Sequence, residues 1–108
     1  MLGPAERKET AVYGTLGRMK VKPGKVDDVV ARLKNAPSGD AAKGYQGAYL
    51  LVADEGGEVV VAVMYEDKDA YFAMVHDPAT EANYPKLLEL LEDEPVWTDG
   101  EWIAGPTA

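Results

Sequence analysis

Two consecutive segments, 45–53 and 58–66, are apolar on both of their faces, and this restricts the fold more than any other feature of the chain. At the two-residue period of a strand, YQGAYLLVA presents Tyr45, Tyr49 and Leu51 on one side and Ala48, Leu50 and Val52 on the other. EVVVAVMYE sets Val59, Val61, Val63 and Tyr65 against Val60, Ala62 and Met64. The DEGGE stretch between them supplies a glycine-containing hairpin turn, so the two segments pair as antiparallel neighbours. A hairpin with two apolar faces has to be covered twice.

The remaining segments supply one cover. A first strand spans about 12–21, with Tyr13, Thr15, Met19 and Val21 on one face and Val12, Leu16, Arg18 and Lys20 on the other. Pro23-Gly24 stops it, and Val26, Val29, Val30 and Leu33 follow at helical spacing, predicting a helix over 25–35. Asp27 and Asp28 in its first turn, and Arg32 and Lys34 in its last, suit the helix dipole. Residues 36–44, with Pro37, Ser38 and two glycines, read as a loop. Asp67 is placed to cap a helix over 68–76, and Asp77-Pro78 reads as another cap with proline at the first helical position. Pro85 would clash inside a helix, so a fresh start is expected near Tyr84-Pro85, carrying Leu87, Leu88, Leu90 and Leu91 as its apolar stripe. Pro95 ends that helix, and a last strand over 96–103 contains Asp99-Gly100 as a turn or bulge. Residues 1–10 read as a loose polar leader, 11–103 as one domain and 104–108 as a tail.

The resulting order, βαββαβ, is the α+β ferredoxin-like arrangement: an antiparallel sheet with both helices on one face. The other sheet face would be left as a large apolar patch, which a soluble monomer rarely tolerates. A two-fold partner presenting the same patch covers it most simply, so a homodimer is expected on physical grounds.

Composition narrows the partners. The chain has 108 residues, 19 acidic against 11 basic, and a net charge of -8, which argues against nucleic acid and anionic membranes. With no cysteine, disulfides, thiolate metal sites and cysteine nucleophiles are excluded. The one histidine, His76, and carboxylates scattered over solvated faces make no metal site. GxGxxG and P-loop motifs are absent. No apolar run approaches the roughly 18 residues of a membrane span, so a cytoplasmic location is expected.

RMKVKPGKVDDVVARL, GYQGAYLLVADEGGEVVVAVMYEDKDAY and LLELLEDEPVWTDGEW resemble the dimeric α/β barrel superfamily, and within it the antibiotic biosynthesis monooxygenase-like proteins. The strand ending in an aromatic, an acidic pair and an amphipathic helix, MYEDKDAY, carries the resemblance most directly. The resemblance, over about 11–103, implies a barrel formed by two sheets and a pocket between the helices and the helix-facing side of each. By that analogy Tyr13, Gly17, Tyr71, Met74 and Tyr84, with Tyr49, are the candidate ligand-binding residues, while Trp97 or Trp102 closes a rim. The plainer reading is that these aromatics simply pack a small core.

The haem-degrading branch of the superfamily carries an asparagine, a tryptophan and a histidine where this chain has Gly17, Met74 and Tyr84, so neither haem nor another cofactor is expected. His76 lies two residues past Met74, about 200° around a helix, and reads as a cation at a helix C-terminus. The resemblance implies a cofactor-independent monooxygenase on a small aromatic or polyketide-like substrate. The alternatives are a non-catalytic dimer that binds a small apolar or aromatic molecule or is purely structural, and an isomerase or lyase on the same scaffold. No residue compels assignment of a catalytic base.

Overall fold

The computed structural model describes residues 12–106; the polar leader lies outside them. Strands β1 (Val12–Lys20), β2 (Tyr45–Val52), β3 (Glu58–Tyr65) and β4 (Val96–Trp102) form one antiparallel sheet in the order β2-β3-β1-β4. Helix α1 (Val26–Leu33) joins β1 to the hairpin, and α2 (Lys68–Val75) and α3 (Pro78–Leu88) join β3 to β4. This is the expected ferredoxin-like α+β topology, with the crossover divided into two helices.

Strand parity sets the layers. Thr15, Met19 and Val21 of the first strand and its extension face the same side as Val59, Val61 and Tyr65 of β3, and all six are buried. Val29 of α1, Leu87 of α3 and Leu91 complete a continuous core on that side with Met19, Val21, Val59 and Val61. The opposite side carries Leu16, Val60, Ala62, Met64, Tyr49 and Leu51, with none of the described helices over it. There Tyr49 and Leu51 are 76% and 66% exposed.

Local chemistry fixes the helix starts. Asp67 accepts from the Ala70 amide at 2.8 Å, and Asp77 accepts from the Ala79 amide at 2.9 Å, each satisfying an otherwise unpaired donor of a first turn. Pro78 takes the first helical position, where its missing N–H costs nothing.

Three expectations are corrected. Pro85 does not open a new helix but lies inside α3. Both Pro85 and Glu81, whose carbonyl Pro85 cannot engage, lie at exposed positions, and the helix runs on while Tyr84 and Leu87 keep their packing. The apolar stripe accordingly straddles the helix end, with Leu91 in an isolated bridge to Val21. Asp99-Gly100 is neither turn nor bulge: Thr15 pairs with Asp99 and Gly14 with Gly100 in unbroken register. In β2 a bulge between Tyr45 and Gly47 shifts parity, so Tyr45 joins Ala48, Leu50 and Val52 on the helix side, away from Tyr49 and Leu51. Gly47 accommodates the bulge with a φ of 138°, a conformation that side-chain-bearing residues rarely adopt.

Candidate functional site

Between the helices and the sheet lies a cleft of about 350 Å³. Its floor is the helix-facing surface of the sheet: Tyr45, Ala48, Val61, Val63, Tyr65 and Trp97. Met74 of α2 and Thr80, Asn83, Tyr84 and Leu87 of α3 form one wall, and the end of α1 with the loop after it, from Arg32 to Ser38, forms the other. The size falls within the range of small-molecule sites, which is roughly 300–1,000 Å³.

Trp97 occupies its place because its cross-strand partner is Gly17. A Cβ on Gly17 would fall among the indole ring carbons, 2.7 Å from Cε3, so the ring lies directly over the glycine backbone. The indole Nε1 donates to the Tyr84 hydroxyl at 3.1 Å, and the two rings are 6.4 Å apart at 46°. Because the Tyr84 oxygen accepts that bond, its own proton is available to a ligand.

The structure brings Met74 and Tyr84 to this cleft and distributes the other sequence candidates elsewhere. Tyr13 and Tyr71 lie beside it in an aromatic cluster: their centroids are 5.5 Å apart, Phe72 is 5.0 Å from Tyr71, and Tyr65 links the group to the cleft at 6.1 Å from Tyr71. The Tyr71 hydroxyl donates to Asp99 Oδ1 at 2.8 Å. Burial, reinforced by that carboxylate, pushes Tyr71 above the ordinary phenol range, so it is no base at neutral pH. Tyr65 donates to the Ala41 carbonyl at 2.7 Å, and burial pushes its pKa up to about 12. Gly17 is a support covered by Trp97 rather than an open wall. Tyr49 stands on the opposite sheet face, because its partner Ala62 has the parity that points away from the helices. Trp102 is on that opposite face too, its Nε1 donating to the Val63 carbonyl at 2.9 Å over Gly14, so only Trp97 reaches the cleft.

Tyr45, Trp97 and Arg32 complete the cleft without having been singled out as ligand-binding residues. Arg32 is three residues past the buried Val29, a spacing that puts it on the core-facing side of α1 and could have flagged it. Tyr45 was hidden by the bulge.

Among the described residues no carboxylate, imidazole or thiol lines the cleft, and no cluster of three metal-ligating side chains occurs. Haem does not fit the residues present: the Tyr84 hydroxyl is engaged by Trp97, and the indole fills the space over Gly17. His76 is exposed at the C-cap of α2, outside the cleft. Among the described residues no helix is long and apolar enough to cross a membrane.

The model of one protein family, antibiotic biosynthesis monooxygenase, matches residues 13–83. No curated protein matches the chain. Among solved structures, Rv0793 from Mycobacterium tuberculosis is similar with a TM-score of 0.71 at 19% identity, covering 90% of this chain and 99% of its own. Protein SO0527 from Shewanella oneidensis superposes with a TM-score of 0.69 at 18% identity, over 86% of this chain and 91% of its own. NE2512 from Nitrosomonas europaea, a protein of unknown function, gives 0.68 at 18% identity, over 94% and 97%. At these identities the structural likeness speaks for the fold.

Proposed function

The chain belongs to the antibiotic biosynthesis monooxygenase family, and from that premise we propose that it is a homodimeric, cofactor-independent monooxygenase acting on a small aromatic substrate held in the helix–sheet cleft. The observation that carries this reading is the convergence of Met74, Tyr84, Trp97 and Tyr45 on one cleft of about 350 Å³. Flat aromatic walls and a polarisable thioether suit a planar ring. They also desolvate it, which raises the reactivity of an electron-rich anion toward dioxygen.

Among the described residues the cleft wall carries no thiol, imidazole or carboxylate. In this cofactor-independent reading the electrons that reduce dioxygen come from the substrate, a phenol or enol. A hydroxynaphthalene balances this way: 1-naphthol and dioxygen give 1,4-naphthoquinone and water, one oxygen atom going to each product. Tyr84, whose proton is free, is placed to hydrogen-bond the substrate oxygen. The uncovered apolar sheet face around Ala62, Tyr49 and Leu51 supports the two-fold partner.

A second reading, a binding protein without turnover, is favoured by the same wall, which among the described residues offers no carboxylate or imidazole to act as a base. Oxygen uptake with 1-naphthol separates the two. Protein-dependent uptake, with one atom of labelled dioxygen in the quinone, supports the monooxygenase. Saturable 1-naphthol binding without uptake overturns it in favour of the binding protein.

A further inference from the structure

Among the described residues the cleft is lined by one charged side chain, Arg32, in a chain whose overall charge is -8. Arg32 is half-buried, and no described carboxylate pairs with it. Arg18 reaches Glu58 at 3.9 Å, Lys25 reaches Asp28 at 3.9 Å and Lys43 reaches Asp40 at 3.4 Å. Lys20, Lys22, Lys34, Lys68 and Lys86 have no described carboxylate partner either, but they are exposed and none of them lines the cleft. None of the described acidic residues lines this cleft. A guanidinium that is partly desolvated and unpaired beside an aromatic wall is poised for an anion that arrives with a ligand.

We propose that the cleft selects aromatic acids: planar rings bearing a carboxylate, with the ring against Met74, Tyr84 and Trp97 and the carboxylate on Arg32. The inference rests on the cleft being the ligand site and adds the charge class of what enters it. Tyr84, with its proton free, and the amide of Asn83 add neutral donors along the same wall. The net negative charge of the protein repels anions at long range, so discrimination in favour of an anion has to come from this local contact.

A role for Arg32 confined to the C-terminal dipole of α1 would stabilise the helix and leave ligand charge unread. Calorimetric titration with 1-naphthoate and with its neutral isostere 1-naphthamide, at pH 7 and moderate ionic strength, distinguishes these roles. Wild type should bind naphthoate about tenfold more tightly than naphthamide, the scale of one partly solvated charge-assisted contact. In Arg32→Gln the ratio should fall to about one with naphthamide affinity unchanged, whereas Arg32→Lys should keep naphthoate ahead.

Equal affinity for the two probes in wild type overturns the charge selection while leaving the cleft as a ligand site. A naphthoate preference that survives in Arg32→Gln, or an equal loss of both affinities, removes Arg32 from the recognition and overturns the proposal. Binding of neither probe overturns both this inference and the assignment of the cleft.

Discussion

Trp97 donates its indole proton to the Tyr84 hydroxyl across 3.1 Å, tying the start of β4 to α3 over the floor of the cleft. The bond exists because Gly17, the partner of Trp97 in β1, leaves room for the ring. Sequence positions far apart are thereby coupled: the smallest residue of one strand decides where the largest residue of its neighbour lies.

Gly17→Ala should therefore displace Trp97 and break its bond to Tyr84. The ring is partly exposed and can swing outward, so the fold should survive with a loss of about 1–2 kcal/mol. Gly14→Ala should cost more. There a Cβ collides with the Val63 carbonyl, lying 2.8 Å from its carbon, and backbone cannot swing aside. Chemical denaturation of the two variants, with tryptophan fluorescence as the probe, should rank Gly14→Ala well below Gly17→Ala.

Tyr65 links packing to pH. It is fully buried, and its pKa is pushed up to about 12 by burial. A raised folded-state value means that the proton is held more tightly in the native protein than in the unfolded chain, whose phenols titrate near 10. The contribution is present in full below about pH 10 and is lost as pH rises toward 12. Denaturation midpoints should hence be flat through neutrality and fall above pH 10. Tyr65→Phe should make that fall shallower, the remainder belonging to Tyr71, and, by leaving the buried Ala41 carbonyl without its donor, cost about 1–3 kcal/mol at pH 7.

The strands were legible because buried Met19 alternates with exposed Arg18 and Lys20 in β1 and because β3, from Val59 on, is an unbroken apolar run rich in strand-forming residues. The aspartate caps were legible because Asp67 and Asp77 act within three residues of themselves. What stayed hidden depends on partners distant in sequence. Pro85 lies inside α3 at an exposed position, with Glu81 four residues before it exposed as well. Asp99 stays in the strand, where it accepts from Tyr71 across 28 positions. The Gly47 bulge reverses the side on which Tyr45 projects, and a period of two cannot register one extra residue. Of the site, Met74 and Tyr84 were reachable from family resemblance. Arg32 was assigned to the helix dipole, since its lack of a partner exists only in three dimensions.

The adjacent residues Val61 and Ala62 point to opposite sides of β3, and charge placed on each should separate folding from assembly. Val61 is 3% exposed in the core, so Val61→Asp buries an unpaired carboxylate and should cost several kcal/mol of stability. Ala62 lies on the uncovered face, so Ala62→Asp should leave the monomer folded while removing the dimer expected to form there. Sedimentation at micromolar concentration reports the second effect and circular dichroism the first. A wild-type protein that sediments as a folded monomer would contradict the dimer.

Enlarging Met74 tests the cleft without touching its polar groups. Met74 is only partly buried, and Met74→Trp should fill the space beside Tyr84 with little change in stability, about 1 kcal/mol or less. Affinity for 1-naphthol should fall at least tenfold, as read by calorimetric titration. Unchanged affinity would place the ligand elsewhere.

The central claim is that the aromatic ligand lies in the cleft between the helices and the sheet. A crystal structure of the protein with 1-naphthol tests it most directly. The claim predicts the ring in contact with Met74, Tyr84 and Trp97, its hydroxyl within hydrogen-bond distance of the Tyr84 oxygen. A ring seated instead on the opposite face, against Tyr49 and Leu51, with the cleft holding only water, would contradict it.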